Sequence, residues 1–457
     1  MQEATQTGFH PDDYTAFEYT SFSINTEHTG IELNYRFVGK HEVAFTETVE
    51  LPAADRGLDD AEHIAMQRTA RLLFLAAGLS YYKAAAPVGI KIMPAVTKEE
   101  VAFLTQLIAN GMTEFAYVNN LPEALHPIIE ATVLEAAEPQ LLPRADSEQP
   151  LVPIGGGKDS IVTLEALRAT AKKPVLFSVN TFPAIERTVQ VAGLPYLMAK
   201  RQLSPKLLEI NSLGARNGHV PVTATVSLIA VLTALLHGQR AVIFSNERSA
   251  SVGNVIWEGI EVNHQWSKSL AAEKLIRDTI QNVVTPDLAY FSLLRPFSEL
   301  RITRQFAKYR QYHQAFTSCN RAFRLVEDRR SDTWCGNCPK CRFVFLMLAP
   351  YLPMTELERI FSGNLLKDGT QLAGFRELLG IEGHKPLECV GEIEESRLAL
   401  QLIVQKEEWK QIPEVQVLLG DLPEDAWPTP AQAKDVFAAS PQHFIPNNYQ
   451  EAMHAIE

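Results

Sequence analysis

Apolar and polar positions change their rhythm along this chain, and each change predicts a different kind of element. Residues 17–51 alternate, with Ile31, Leu33, Tyr35 and Phe37 set against Glu32, Asn34 and Arg36, which predicts a short antiparallel meander with one buried face. The period then lengthens to that of a helix over about residues 61–77. A second helix is opened by Thr97, Lys98, Glu99 and Glu100, a capping box, with Val101, Leu104, Leu107 and Ile108 on one face. Residues 138–150 carry several prolines and charges and read as a linker. Beyond it, apolar runs at 174–180, 194–198 and 240–245 predict buried parallel strands, separated by helical runs at 185–191 and 222–236.

That alternation predicts an α/β fold with a doubly wound parallel sheet, in which the loops after Ile154, Val179 and Phe244 converge on one site beyond the carboxyl ends of the strands. The expected division is an N-terminal α+β domain over 1–145, an α/β nucleotide domain over 146–315, and a cysteine-bearing, metal-stapled helical region over 316–457. The proline-rich end from Asp421 onward reads as a wrapped or partly mobile tail. No internal repeat or low-complexity tract is visible.

Composition narrows the class. The 457-residue chain is 46% hydrophobic and 21% charged, so a folded protein is expected. The longest apolar run, 222–236, is interrupted by Thr223, Thr225 and Thr233 and falls short of the roughly 20 residues that cross a bilayer. The start, MQEATQTGFH, lacks the basic and apolar pattern of a signal peptide, so a cytoplasmic location with no membrane contact is expected. A formal charge of −12 disfavours a nucleic-acid partner, since the one basic cluster, Arg321, Arg324, Arg329 and Arg330, is interspersed with Glu327 and Asp328.

The densest chemistry lies at 151–160, LVPIGGGKDS, where an apolar strand runs into Gly155, Gly156, Gly157, Lys158, Asp159 and Ser160 and then into an amphipathic helix carrying Ile161, Leu164 and Leu167. Glycines allow a tight turn that brings bare N–H groups against an anion at a helix N-terminus, and Lys158 and Asp159 add a cation and a potential magnesium ligand. A Walker A loop is excluded, because Lys158 is followed by Asp159 rather than by Ser or Thr. The segment resembles the Ser-Gly-Gly-x-Asp-Ser loop of the ATP pyrophosphatases, the PP-loop group of HUP-like fold, with Gly155 in the place of the usual serine. That resemblance implies ATP and Mg²⁺, cleavage of ATP to AMP and pyrophosphate, and adenylation of a substrate.

Cys335, Cys338 and Cys341 stand in WCGNCPKCR and Cys319 precedes them, a C-x15-C-x2-C-x2-C spacing that supplies four thiolates for a tetrahedral metal site. Structural Zn²⁺ is the favoured occupant, and an iron–sulfur cluster uses the same spacing. The cluster resembles that of the cyano-deazaguanine synthases, which implies structural zinc. Other polar groupings suggest substrate contacts: Asn246, Glu247 and Arg248 after the 240–245 strand, and Asn263, His264 and Lys268 before a helix that Ser267 is placed to cap. His264 reads equally as a proton carrier or as a histidine satisfied by the fold, His219 less strongly so, and Cys389 is an outside candidate for the same role. The segment 383–389, with Cys389, reads as a substrate loop or an ordinary turn.

In their order and across about residues 15–445, LVPIGGGKDS, SNERSASVGN, VNHQWSKS, TWCGNCPKCRFVF and GHKPLECVGE resemble the MurL family, the UDP-N-acetylmuramoyl-L-alanyl-L-glutamate epimerases of peptidoglycan synthesis. The resemblance implies an ATP- and Mg²⁺-dependent inversion of the terminal glutamate of a UDP-muramoyl dipeptide, with release of AMP and pyrophosphate. Adenylation removes the carboxylate charge that opposes α-deprotonation, and the acylated amide could then close an oxazolone with an unusually acidic α-hydrogen. The rival enzyme reading is a PP-loop amidotransferase or thiolase acting on a deazaguanine or tRNA. The non-enzyme rival is a zinc-stabilised nucleotide-binding regulator.

Overall fold

The computed structural model describes residues 8–143, 148–170, 172–323 and 330–456. Strands β1 (Tyr14–Ile24), β2 (Gly30–Gly39) and β3 (Val43–Glu50) form the expected antiparallel meander, with Phe17 opposite Phe37 and Tyr19 opposite Tyr35. β4 (Gly89–Thr97) and β5 (Ile128–Leu134) extend it in parallel beside β1. Pro94 cannot donate to a ladder, and the register of β4 against β5 shifts between Ile92 and Val96, which is where a proline is tolerated. The α/β half contributes β6 (Leu151–Pro153), β7 (Val175–Val179), β8 (Tyr196–Gln202) and β9 (Ala241–Phe244). A separate hairpin, β10 (Val255–Trp257) and β11 (Ile260–Val262), precedes β12 (Ala289–Ser292).

Ten of these strands form one mixed sheet in the order β12-β9-β6-β7-β8-β3-β2-β1-β4-β5. It is mainly parallel, the antiparallel pairs being β8·β3, β3·β2 and β2·β1. The sheet therefore continues across the linker, with Thr48 opposite Gln202 and Glu50 opposite Lys200. A buried ion pair fastens this joint: Arg201 Nε lies 2.7 Å from Glu47 Oε1, and Tyr81 donates its hydroxyl to Glu47 Oε2 at 2.8 Å.

The helices up to the cysteine segment are α1 (Asp60–Tyr82), α2 (Lys98–Gly111), α3 (Thr113–Asn119), α4 (Lys158–Ala169), α5 (Pro183–Ala192), α6 (Pro205–Ser212), α7 (Val222–Leu236), α8 (Leu270–Thr279), α9 (Glu299–Phe306) and α10 (Pro339–Leu348), and further short helices follow to the C-terminal end. The capping box of α2 is present, Thr97 accepting from the Glu100 N–H and Glu100 from the Thr97 N–H. Asp59 and Glu62 form another at α1. α8 is capped by Ser269, which accepts from the Ala272 N–H, and not by Ser267, because the chain first makes a short 3₁₀ turn over Trp266–Lys268.

Alternation along the parallel strands builds two cores. Leu151, Val175, Phe177, Val242 and Phe244 face α1 and α7, whereas Val152, Leu176, Ala241 and Ile243 face α4, α9 and the C-terminal helices. The tail is wrapped: Tyr449, Met453 and Ile456 are buried, and Arg301 donates to the carbonyls of Phe437 and Ile456. Against β1, α1 approaches so closely that a Cβ on Gly78 would stand 2.3 Å from the ring of Tyr19, itself fully buried. Gly78→Ala is therefore expected to destabilise the fold by about 1–3 kcal/mol, the usual range for overpacking, read as a lower denaturant midpoint. A midpoint equal to that of the parent would mean that Tyr19 can yield.

Candidate functional site

β6 ends at Pro153, and the chain turns through the glycines into α4, whose cap residue is Gly157. A glycine cap supplies no side-chain acceptor, so the first-turn N–H groups of α4 face outward as donors for an anion. Gly156 adopts φ +77°, and a Cβ there would meet the Ala184 carbonyl carbon at 2.8 Å in the first turn of α5, so a side chain does not fit. From the other side, the Thr317 N–H donates to Gly156 O at 2.9 Å, which ties the loop to the chain leading into Cys319.

Lys158 turns away beneath the loop. Its ammonium is 1% exposed and hydrogen-bonded to both Asp159 and Glu299. Burial opposes its charge, but the two carboxylates hold it above the ordinary lysine range. Asp159, Glu247 and Glu299 bring carboxylate oxygens within 4.8 Å of one another. Burial, and then the charges of Glu299 and Asp159, push Glu247 up to about 7. Lys340, from α10, stands 3.7 Å from Glu299.

A cavity of about 510 Å³ opens over this loop. It lies where β6 has β7 on one side and β9 on the other, the point at which an open sheet leaves a crevice between diverging connections. Its walls include Gly155, Gly157, Asp159 and Ser160, then Ser178 and Val179 at the end of β7 with Phe182 beyond it, Phe244 at the end of β9 with Ser245 and Asn246 beyond it, and Lys268, Ser318, Lys340 and Cys389. The expected convergence of the loops after β6, β7 and β9 is thus observed. The buried Oγ atoms of Ser245 and Ser318 have no hydrogen-bond partner among the described residues, so these walls hold polar groups for a ligand to satisfy.

Cys389 reaches the cavity because its loop is pinned from both sides: Asn254 Nδ2 donates to Pro386 O at 2.6 Å and Gln265 Nε2 to Val390 O at 3.0 Å. Lys268 Nζ lies 3.4 Å from Cys389 Sγ. His264 hydrogen-bonds Cys389, and its Nδ1 is 2.5 Å from Glu114 Oε2 of α3. Burial alone would raise the thiol, but Lys268 and His264 bring it down to about 6. His264 is raised to about 9, burial being outweighed by its bonds to Cys389 and Glu114. His219, its ring 4.5 Å from that of His264, is lowered to about 3 by burial and by the neighbouring cations.

The sequence candidates therefore separate into groups. Gly155, Gly157, Asp159, Ser160, Asn246 and Lys268 line the cavity, Lys158 and Glu247 lie beneath it, and His264 and His219 stand behind Cys389. Arg248 departs from the substrate role expected of it: its guanidinium donates to the carbonyls of Asp435, Val436 and Ala438. Asn263 is likewise engaged in the fold, donating to Ala250 O and accepting from the Gln265 N–H. Glu299, Lys340 and Glu114 were not foreseen. Of these, only Lys340 sits inside a conspicuous motif, the cysteine segment.

Cys319, Cys335, Cys338 and Cys341 come together as one set, with Sγ separations of 3.9 Å (319–338), 3.7 Å (335–341) and 3.5 Å (338–341). A tetrahedral ion with about 2.3 Å metal–sulfur bonds needs sulfur–sulfur edges of about 3.8 Å. The donor set and its geometry therefore fit a metal. Arg321 hydrogen-bonds Asn337, while Arg324, Glu327, Asp328 and Arg329 lie outside the described residues. Among the described residues, no helix is long and apolar enough to cross a membrane.

Fold and site together define a mixed α/β protein with a glycine loop and a cavity at the switch point of a mainly parallel sheet. Its sequence matches the family models MurL N-terminal domain over residues 8–293 and MurL C-terminal domain over 315–433, and the chain belongs to the MurL family. It is 44% identical over 439 residues to a UDP-N-acetyl-alpha-D-muramoyl-L-alanyl-L-glutamate epimerase of a Micromonospora species, covering 96% of this chain and 97% of that protein. Epimerases of the same name from Salinispora tropica and Xanthomonas oryzae pv. oryzae are 44% and 43% identical, again over 96% of this chain and over 95% and 97% of theirs. No solved structure matches.

Arg295 holds two walls at once. It is 1% exposed, pairs with Glu273 at 2.8 Å, and donates to the carbonyls of Glu247 at 2.5 Å and Lys268 at 2.6 Å. Arg295→Ala strands Glu273 without its counter-charge and should cost about 3–5 kcal/mol in a denaturant titration. A loss below 1 kcal/mol would show that Glu273 finds water or another donor.

Proposed function

We propose that this chain inverts the terminal glutamate of UDP-N-acetylmuramoyl-L-alanyl-L-glutamate from L to D at the expense of ATP. The observation that carries the proposal is the near full-length similarity to three epimerases of that name. The loop geometry supports the ATP dependence: an uncapped helix N-terminus, a cluster of carboxylates and a cavity of about 510 Å³ meet at one place. In this proposal the core is of the PP-loop, HUP-like kind, and the glutamate α-carboxylate attacks the α-phosphorus of ATP, giving an acyl-adenylate and pyrophosphate. The neutral mixed anhydride acidifies the α-hydrogen. A protein base removes it, the opposite face is reprotonated, and hydrolysis frees AMP and the D-epimer.

The N–H groups of the 155–160 loop would hold the phosphates, while Lys158 keeps Asp159 and Glu299 in place beneath them. Asp159, Glu247 and Glu299 would hold Mg²⁺, which supplies charge neutralisation for the phosphate chain. The four cysteines would hold structural Zn²⁺. Residues 1–145 buttress the site from outside the cavity in this scheme, since Glu114 reaches His264, while 146–315 would carry the nucleotide and 316–457 the metal staple and Cys389. A cytoplasmic location accords with a need for ATP and for reduced thiols.

The deciding assay supplies the dipeptide substrate, ATP and Mg²⁺ with no ammonia or sulfur donor, and follows AMP, pyrophosphate and the chirality of the recovered glutamate. Equimolar AMP and pyrophosphate with D-glutamate are expected, and AMP without inversion in the parent protein would count against the proposal. Asp159→Ala should abolish AMP formation and leave the unfolding midpoint within about 1 kcal/mol of the parent, because Asp159 is on the cavity wall rather than in a core. Metal analysis should return about one zinc per chain, with Cys338→Ser lowering stability far more than it changes chemistry in the fraction that stays folded. Iron with sulfide would reassign the cluster.

A further inference from the structure

The cavity that would hold the phosphates limits which side chain can touch the glutamate α-carbon. An acyl phosphate places that carbon two bonds from the oxygen bridging to phosphorus, so the group exchanging its hydrogen must stand on the wall of the same cavity. Among the described residues, the titratable groups on that wall are Asp159, Lys268, Lys340 and Cys389. Asp159 is bound by the buried ammonium of Lys158. Lys340 is 3.7 Å from Glu299, and Lys268 is a cation held above the ordinary lysine range, chiefly by Cys389. Held as a cation, Lys268 has no lone pair to offer, and Lys340 is engaged by the carboxylate of Glu299. His264 and His219 do not line the cavity, and Cys389 does.

We propose that Cys389 is a catalytic residue that exchanges the α-proton on one face of the activated glutamate. This rests on the adenylation proposed above and names the group that acts after it. The thiolate takes the α-hydrogen as a proton: the C–H bond breaks, an S–H bond forms, and the C–H electron pair moves into the activated carbonyl as an enolate. In the opposite direction the thiol returns the proton to the same face. Lys268, 3.4 Å from the sulfur, places a positive charge where negative charge leaves the sulfur and develops on the enolate oxygen. Glu114 fixes the His264 ring through Nδ1, and His264 hydrogen-bonds the thiol from behind. With Lys268 and His264 beside it the thiol is brought down to about 6, so it is ionised at neutral pH, and it remains basic enough to accept a proton. The unpartnered Oγ atoms of Ser245 and Ser318 mark the same cavity as one built for a polar ligand.

The test uses the full chain, ATP, Mg²⁺ and the UDP-muramoyl dipeptide in deuterated water, with Cys389→Ala and the near-isosteric Cys389→Ser measured beside the parent. Both variants should release substrate-dependent AMP and pyrophosphate while D-glutamate formation falls roughly 10²–10⁴-fold, the usual contribution of a positioned acid–base group. Recovered L-dipeptide without α-deuterium would put Cys389 on the L face, and L-dipeptide carrying deuterium would put it on the D face. D-product at more than a tenth of the parental rate in either variant overturns the proposal. So does a covalent adduct of dipeptide mass on Cys389 in parental enzyme quenched during turnover, which would make the sulfur a nucleophile. If the parent releases no AMP, the adenylation step is wrong and the assignment of Cys389 falls with it. AMP without inversion in the variants alone locates the defect at the α-carbon.

Discussion

An ammonium buried under a glycine loop is the constraint from which the rest of this site follows. Lys158 is 1% exposed, and a charge so placed survives only if it is paired on several sides. Asp159 supplies one partner from the loop itself. Glu299 supplies the other from the start of α9, more than a hundred residues further along the chain, and it also takes Lys340 from α10. The loop, α9 and the cysteine segment are thus held by alternating charges within one small volume. Removing Lys158 or Glu299 would leave an uncompensated buried charge, a loss of about 3–5 kcal/mol, which is a large part of the stability of an ordinary domain, whereas loss of the part-exposed Asp159 leaves the ammonium paired with Glu299.

The same economy of position governs the walls. Parallel strands bury both faces, and the two cores on either side of β6, β7 and β9 fix the height at which their carboxyl ends stop. Because the sheet continues from β8 into β3, the N-terminal meander cannot drift relative to the parallel half of the sheet, and the Arg201–Glu47 pair at this joint adds electrostatic register to the ladder. This rigidity is what lets Glu114, on the far side of the linker, hold an imidazole at 2.5 Å. Arg295 performs the corresponding service on the other wall, gripping the carbonyls of Glu247 and Lys268 with one planar group.

Elements with a local signature were legible in the sequence. The meander, the Thr97 capping box, the three central parallel strands, the glycine loop and the cysteine spacing each rest on residues close together in the chain, and each appears where periodicity or motif places it. The family resemblance was carried by the glycine loop and the cysteine segment together with three polar segments, SNERSASVGN, VNHQWSKS and GHKPLECVGE. What escaped depends on residues far apart. Glu299 follows an unremarkable Ser298 cap, and nothing nearby announces that it will lie under Lys158. β4 carries a proline, and β5 is an exposed edge, with Ile128 63% exposed, so neither shows the apolar run of a buried strand. Arg248 and Asn263 look like ligand contacts in a string of polar residues, yet both are consumed by backbone groups. Polar clusters in sequence mark loops near a site more reliably than they mark which side chain faces the ligand.

In the proposed reaction, the pairing of the glycine loop with an ionised thiol also has a chemical logic. A thiolate brought down to about 6 by Lys268 and His264 is a modest base, and the α-hydrogen of a glutamate carrying a free carboxylate is far too weakly acidic for it. Activation must come first, whether the proton is then lost from the acyl-adenylate or from an oxazolone closed within it. A base of this strength is safe to hold beside the substrate precursor, because it does nothing until the carboxylate charge is gone. In that proposal the order of events is set by acidity rather than by a moving part, and it requires the glycine loop and the thiol to share one cavity. That is the arrangement in which β6, β9 and the 386–390 loop place Gly157, Asp159, Lys268 and Cys389.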